Sequence, residues 1–149
     1  MKDDRLRVPM ENDYALALGR AIFIFTKLEW SAIECCEHII PDSFHVLKLN
    51  ERNARILANK LISLAATLPP SLQREVCIAA AEFDRLRKKR NDLLHVQPGT
   101  IADGAQRLIR DGLAWKVDMI DKVADDFTEC NDRLVALRDK LPAGTLAAP

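Results

Sequence analysis

Apolar side chains recur in alternating steps of four and three residues along most of this chain, and this spacing constrains the fold more than any other feature. The steps match the 3.6-residue turn of an α-helix, so each run predicts an amphipathic helix with one face in a core. The four predicted seams are Tyr14, Leu18, Ala21, Phe25, Leu28, Ala32, Cys35 and Ile39; Ala54, Leu57, Leu61, Leu64 and Leu68; Leu72, Val76, Ala79, Phe83 and Leu86; and Ile120, Val123, Phe127, Cys130, Leu134, Leu137 and Leu141.

Capping residues and prolines predict where these helices begin and end. Asn12, Ser71 and Asp118 are placed to start the first, third and fourth helices. Pro41 and Pro69 stop the first and second, because proline cannot continue a helix. The segment from Ser43 to Asn50 is predicted to be a short connection. A second apolar stripe is expected to widen the buried face of the first helix, and its members are Ala15, Ile22, Cys36 and Ile40.

Residues 100–117 break the helical pattern. Asp111 and Gly112 stand between two short mixed runs, and an Asp-Gly pair in that setting indicates a tight hairpin. The predicted fold is therefore an all-α, up-and-down bundle of four main helices, with a small β-hairpin or irregular insertion before the last helix. We expect an N-terminal arm over 1–11, the bundle over 12–141 and a disordered tail over 142–149.

The length and net charge of the chain limit the classes of protein to which it can belong. A chain of 149 residues suits one domain, and its 22 basic and 22 acidic side chains cancel, so the whole molecule is not a general attractor of polyanions. No apolar run reaches the roughly 20 residues of a membrane span, and the first residues lack the apolar core of a signal peptide. We therefore expect a soluble cytoplasmic protein that does not associate with membranes.

The four cysteines lie in helical apolar patterns at spacings that do not suit a metal site. Buried thiols in a reducing cytosol are the favoured interpretation. A response of the adjacent Cys35 and Cys36 to oxidants is the less favoured alternative. We predict neither a bound metal nor a cofactor.

The third helix carries one residue that violates its own seam. After Leu86 the stepping reaches positions 90 and 93, where Leu93 fits but Arg90 does not. A guanidinium on an apolar stripe needs an ion-pair partner or a solvent-accessible cleft, because burying it unpaired costs roughly several kcal/mol. Asn91 and His95 follow at i and i+4 and share one face of the helix.

This cluster carries three kinds of chemistry. Histidine transfers protons near neutral pH, arginine matches phosphate oxygens, and an asparagine can orient an imidazole or hold a hydroxyl. The combination of Arg90, Asn91 and His95 suits the attack of a ribose 2′-hydroxyl on the adjacent phosphodiester without a metal. A single His95 cannot be base and acid at once, but two copies in a symmetric dimer can supply both.

Structural interpretations stand beside the catalytic one. Basic residues near a helix C-terminus complement the helix dipole, and a histidine there is often a cap. The run of Arg85, Arg87, Lys88 and Lys89 is either a solvated helix face or a nucleic-acid-binding surface. Glu29 lies in the apolar part of the first helix; it is either a border residue that reaches water or a carboxylate that holds Arg90.

The stretch RKKRNDLLHVQPGT resembles the R-x4-6-H signature of HEPN (higher eukaryotes and prokaryotes nucleotide-binding) domains. Arg90, four intervening residues and His95 match the signature, and Asn91 matches the polar residue that commonly follows the arginine. The segment LGRAIFIFTKLEW in the first helix is similar to a segment of some uncharacterised bacterial HEPN-like proteins.

The resemblance implies a helical bundle and, in catalytic members, metal-independent RNA cleavage by arginine and histidine from two protomers across a dimer cleft. Many such domains are toxins of toxin–antitoxin or other defence systems, which implies a homodimer, an RNA substrate and a cognate antitoxin. Other members only bind nucleotides, nucleic acid or protein partners, and a non-catalytic module of this kind is the alternative. A third hypothesis is a purely structural dimeric bundle.

Overall fold

The computed structural model describes residues 8–46, 48 and 53–141 of the chain. Its helices are α1 (Asn12–Ile39), α2 (Ser43–Val46), α3 (Ala54–Ala65), α4 (Pro70–Leu94) and α5 (Val117–Lys140). Its strands, all between α4 and α5, are β1 (Gln97–Thr100), β2 (Gln106–Arg110) and β3 (Leu113–Ala114). The first residues of the predicted arm, 1–7, and the whole predicted tail, 142–149, lie outside the described residues.

The four long helices form the predicted bundle. Helix α1 packs most extensively against α5 and also contacts α3, while α4 packs against α3 and α5. Each long helix therefore lies beside its neighbour in the chain, and α5 closes the bundle onto α1. None of the helices in the described ranges combines the length and the apolar character needed to cross a membrane.

The seams meet in one core, as predicted. All the predicted seam residues are buried except Leu18 and Leu72, which are partly buried and pack against the core. At its centre the ring of Phe25 lies 5.0 Å from that of Phe127 in an edge arrangement and 6.2 Å from that of Phe83 in a stacked one. Aromatic rings from α1, α4 and α5 thus fix these three helices together.

The second stripe on α1 is only half buried, so that prediction was wrong at its N-terminal end. Cys36 and Ile40 are buried, but Ala15 and Ile22 are exposed. Glu29 lies on the same line of α1, seven residues after Ile22 and seven before Cys36, and pairs with Arg90 of α4 at the border between core and solvent.

The predicted capping residues were wrong at three helix starts. Helix α1 begins at Asn12 itself after Glu11, and α5 begins at Val117 after Lys116, in both cases without a side-chain cap. Helix α4 begins at Pro70, so Ser71 lies inside its first turn. Proline suits the first helical position because it has no N–H to leave unbonded and its φ is already helical.

The connection after α1 contains a helical turn, α2, that was not predicted. Its start is organised by Glu37, whose carboxylate accepts hydrogen bonds from the backbone N–H of Asp42 and Phe44 and from the hydroxyl of Ser43. Burial would raise the pKa of Glu37, but these hydrogen bonds to the charged form outweigh it and hold the pKa below its ordinary value. Between Val46 and Asn53, the structure describes only Lys48.

The sheet confirms the predicted hairpin and adds a strand to it. Asp111 and Gly112 form the turn between β2 and β3 with positive φ angles of 50° and 77°, which is the conformation that an Asp-Gly hairpin turn requires. Strand β1 was not predicted; it pairs antiparallel with β2 from Gln97 opposite Ile109 to Thr100 opposite Gln106.

The hydroxyl of Tyr14 ties the sheet to the start of α1. It donates to the carbonyl of Trp115 at 3.0 Å and accepts from the backbone N–H of Leu108 at 3.0 Å. The guanidinium of Arg107 lies 4.5 Å above the Tyr14 ring and pairs with Glu11 at 2.8 Å. One buried side chain therefore bridges β2, the segment after β3 and α1.

We expect Tyr14→Phe to lower the free energy of unfolding by about 1–3 kcal/mol, because it leaves the part-buried N–H of Leu108 and the buried carbonyl of Trp115 without their partner. Urea unfolding followed by circular dichroism measures the change. The control is Thr128→Ala, which removes an exposed hydroxyl bonded only within α5 and should cost less than about 0.5 kcal/mol. Equal effects of the two substitutions would contradict the role of Tyr14 as a bridge.

Candidate functional site

Arg90 lies near the C-terminal end of α4 and faces α1. The carbon at the centre of its guanidinium is 4.8 Å from the centroid of the Phe25 ring. Its Nη2 is 4.0 Å from Oε1 of Glu29, which is an ion pair but too long for a hydrogen bond. The side chains of Arg90 and Glu29 are 27% and 32% exposed, so the pair lies at the border between core and solvent.

The charge of Arg90 is only partly satisfied. Its Nε is buried and has no hydrogen-bond partner among the residues that the structure describes. Burial raises the pKa of Glu29 above its ordinary value, and the positive charge of Arg90 offsets that rise only in part. At 4.0 Å, Glu29 is therefore a distant counter-ion for Arg90. An added anion that reaches the exposed end of the guanidinium would gain a charge-assisted contact.

The length of the Arg90 side chain explains how a cation occupies a seam position. Its methylene groups cover apolar surface while the guanidinium reaches the edge of the bundle and rests on an aromatic face. Leu93 resumes the seam on the next turn and is buried. The predicted anomaly is thus accommodated at the border without an arginine fully enclosed in the core.

His95 and Asn91 lie at the C-terminal end of α4. His95 follows the last residue of α4, and its backbone N–H donates to the carbonyl of Asn91 at 2.9 Å. The His95 side chain is exposed and that of Asn91 is half-buried. Within the described ranges, the two side chains are not hydrogen-bonded to each other. In a single copy, Arg90 is held against α1 while His95 is open to solvent.

Two residues that the sequence did not indicate also shape this region. Asp92, inside the motif, forms an ion pair with Arg110 at the end of β2. This contact brings the hairpin beside the end of α4, so the sheet borders the motif. Local sequence gives no signal for a pair so far apart in the chain. Phe25 is the other residue, and its seam position indicated only a core role.

The predicted basic surface divides into two parts. Arg87 and Lys88 both pair with Asp84, at 2.8 Å and 3.2 Å. Burial would raise the pKa of Asp84, but the hydrogen bonds and charges of these two cations lower it overall. Arg85 and Lys89 are exposed and, in the part of the chain that the structure describes, have no ion pair. Asp84 offsets only one of the four positive charges, and Arg85 and Lys89, one turn apart, are the two cations of this surface without an ion pair in that part of the chain.

Three of the four cysteines are placed as inert core residues. Burial raises the pKa of the thiols of Cys35, Cys36 and Cys130 to about 12. The thiol of Cys35 also donates to the carbonyl of Leu134 at 3.3 Å. Across the described residues, no three His, Cys, Asp or Glu side chains are grouped as metal ligands. The thiolate that oxidation requires is therefore scarce at these three positions.

Comparison with protein-family models, with curated proteins and with solved structures finds no match to this chain. The similarity to HEPN domains consequently rests on the motif from Arg90 to His95 and on the short segment in α1. It stays a prediction.

We expect the stability contribution of Glu29 to depend on pH in a direction set by its raised pKa. A carboxyl whose pKa is higher in the folded than in the unfolded state contributes stability below its ordinary value of 4.5 and loses that contribution as the pH rises through the folded value. The free energy of unfolding of Glu29→Gln should therefore rise relative to that of the unsubstituted protein as the pH increases from 4 to 7. Urea midpoints at both pH values test this, and a relative loss at pH 7 would contradict it.

We expect only Cys77 to react readily with iodoacetamide in the folded protein at pH 8. It is partly exposed, whereas the other three thiols are buried and protonated. Mass spectrometry of the intact protein should show one rapid adduct, and four after denaturation in urea. Rapid modification of Cys35 or Cys36 in the folded state would contradict the assignment of these thiols as inert.

Proposed function

We propose that this chain is a metal-independent endoribonuclease of toxin or defence type that acts as a homodimer through Arg90, Asn91 and His95. The observation that carries the proposal is the geometry around Arg90, a cation held at the edge of the core with its counter-ion 4.0 Å away and its Nε without a hydrogen-bond partner among the described residues. An arginine so placed has capacity for an added anion. A phosphodiester is the anion that the adjacent histidine makes chemically useful.

The proposed reaction is a transesterification. The 2′-oxygen of a ribose attacks the neighbouring phosphorus, and the bond from phosphorus to the 5′-oxygen of the next nucleotide breaks. One imidazole accepts the proton of the 2′-hydroxyl, and a second donates a proton to the departing 5′-oxygen. The products are a 2′,3′-cyclic phosphate and a 5′-hydroxyl. Arg90 would bind the non-bridging oxygens, on which negative charge grows in the transition state.

The arrangement within one copy favours a dimer for this chemistry. Arg90 is held against Phe25 and Glu29, whereas His95 is exposed at the end of α4. A second copy related by a two-fold axis would bring another arginine and another histidine to the same cleft. Asn91 would then orient an imidazole or hold the ribose hydroxyl. Arg85 and Lys89 would contact the phosphates of flanking nucleotides.

A non-catalytic module that binds a nucleotide, nucleic acid or a protein partner is the second candidate. The pairing of Asp84 with Arg87 and Lys88 favours it, since this carboxylate offsets one of the four positive charges of the predicted basic surface. A net charge of zero points the same way, because strong non-specific RNA binding depends on many phosphate contacts. In this case Arg90 would bind a phosphate group without turnover.

The biological setting follows from the proposed activity. A cytoplasmic enzyme that cuts cellular RNA must be restrained, so a cognate antitoxin protein is the partner that we propose for it. RNA is the proposed substrate.

We expect the purified protein to cut a fluorescent RNA in the presence of EDTA and to leave cyclic-phosphate ends. His95→Ala and Arg90→Ala should each lower the rate by about 100-fold or more, because each removes a group that acts only in the transition state. Mass spectrometry of the fragments identifies the ends. Circular dichroism and urea unfolding establish that the variants are folded.

The matched control is Arg74→Ala, which removes an exposed arginine from the opposite end of α4 and should leave the rate unchanged. Equal cleavage by His95→Ala and the unsubstituted protein would contradict the proposed catalytic role. Saturable, Arg90-dependent binding of a nucleotide without cleavage would support the second candidate instead.

A further inference from the structure

The outward face of α1 carries a stripe of large apolar side chains. Leu16, Phe23 and Trp30 follow one another at intervals of seven residues and are 50%, 66% and 46% exposed. Seven residues make almost two helical turns, so the three side chains form a line along the helix. The buried seam of the same helix lies on the opposite side. Aligned apolar groups of this size on a surface are typical of interaction sites.

Two shallow grooves flank Phe23 along this line. The first, of about 370 Å³, lies between Ala15 and Ile24 on α1. The second, of about 400 Å³, runs from Phe23 to Glu34 and is closed on its far side by α5. Together they extend about 30 Å at about 1.5 Å per residue. That length matches a helical segment of a partner and exceeds a small molecule.

Gly19 lies in the first groove, in the interior of α1. A Cβ atom added there would meet nothing within 4 Å, so packing inside this chain does not require glycine. Glycine in a helix interior is unfavourable compared with alanine. One physical reason for a glycine remains at this position, namely the close approach of another backbone to this face of α1.

The charges on the stripe select the chemistry of the partner. Arg20 and Lys27 flank Phe23, and neither has an ion pair within the described residues. Glu34, at the end of the second groove, is already paired with Arg138. The central part of the face, between the exposed Asp13 and the paired Glu34, therefore carries two cations and suits an acidic partner. A second copy of this chain would instead bring further cations to it.

This face is separate from the Arg90 site. Phe23 and Phe25 differ by two positions, which places them roughly 160° apart around the helix at about 100° per residue. A dimer that joined two Arg90 sites would consequently leave the stripe accessible.

We propose that the outward face of α1 is a docking site for an acidic amphipathic helix of a partner protein. The α1 docking face comprises Leu16, Gly19, Arg20, Phe23, Lys27 and Trp30. The partner helix presents apolar side chains at heptad spacing toward the line of Leu16, Phe23 and Trp30. Its flanking Asp or Glu side chains pair with Arg20 and Lys27.

The probe is a synthetic three-heptad peptide with leucine at the a and d positions and glutamate at e and g, a pattern whose charges discourage self-pairing. A second peptide with lysine in place of glutamate is the comparison. Fluorescence anisotropy with the full chain should show saturable binding of the acidic peptide only. Phe23→Ser should weaken it at least about tenfold, since exposed aromatic anchors dominate such contacts.

Matched variants distinguish binding at this site from non-specific hydrophobic binding. Ile78→Ser removes another exposed apolar side chain, on α4, and should change the affinity by less than about twofold. The double variant Arg20→Glu, Lys27→Glu should reverse the preference toward the lysine peptide. Gly19→Ala should weaken binding while raising the melting temperature, a combination that a purely structural role would not produce.

Three results would overturn the proposal. They are equal binding of both peptides, absence of binding, and loss of self-association on Phe23→Ser in sedimentation experiments. The last result would assign the face to a second copy of the chain.

Discussion

The packing of the Phe25 ring is the contact on which both the fold and the candidate site depend. On the core side the ring meets Phe83 and Phe127, so it joins α1 to α4 and α5. On the border side it supports the guanidinium of Arg90. A cation can rest at this seam position because the aromatic face replaces part of its lost hydration. The same ring therefore stabilises the bundle and fixes the group that we propose to bind phosphate.

The small sheet extends this arrangement beyond the helices. Tyr14 joins the sheet to the start of α1 through two hydrogen bonds, and Arg110 joins it to α4 through Asp92. These contacts anchor the sheet at two separate points, one on each of the helices that form the Arg90 site. A sheet this small needs an apolar face or packing against a helix to be stable. Anchored in this way, the sheet becomes a fixed border of the motif from Arg90 to His95. Substitutions in the sheet are therefore expected to alter the positions of these two side chains.

The helices were predictable because a repeated apolar step is a local signal that burial then reinforces along the whole seam. The Asp111-Gly112 turn was predictable for a similar reason, since its backbone conformation is encoded in two adjacent residues. Strand β1 was not, because Pro98 and Gly99 are typical of turns and pair only with a strand further along the chain. The pairing of Asp84 with Arg87 and Lys88 could have been predicted from its i+3 and i+4 spacing, and it offsets one positive charge of the basic surface.

The orientation of α1 constrains how its partners can act. One side of the helix forms the core, the edge of that side carries Glu29 beside Arg90, and the opposite side carries the line of Leu16, Phe23 and Trp30. A helix that docks on the outward side does not cover Arg90, because α1 itself lies between them. Such a partner would leave the Arg90 site open to its ligand. A protein that inhibits the proposed nuclease directly must therefore bind near the end of α4, where His95 is exposed and the hairpin borders the motif.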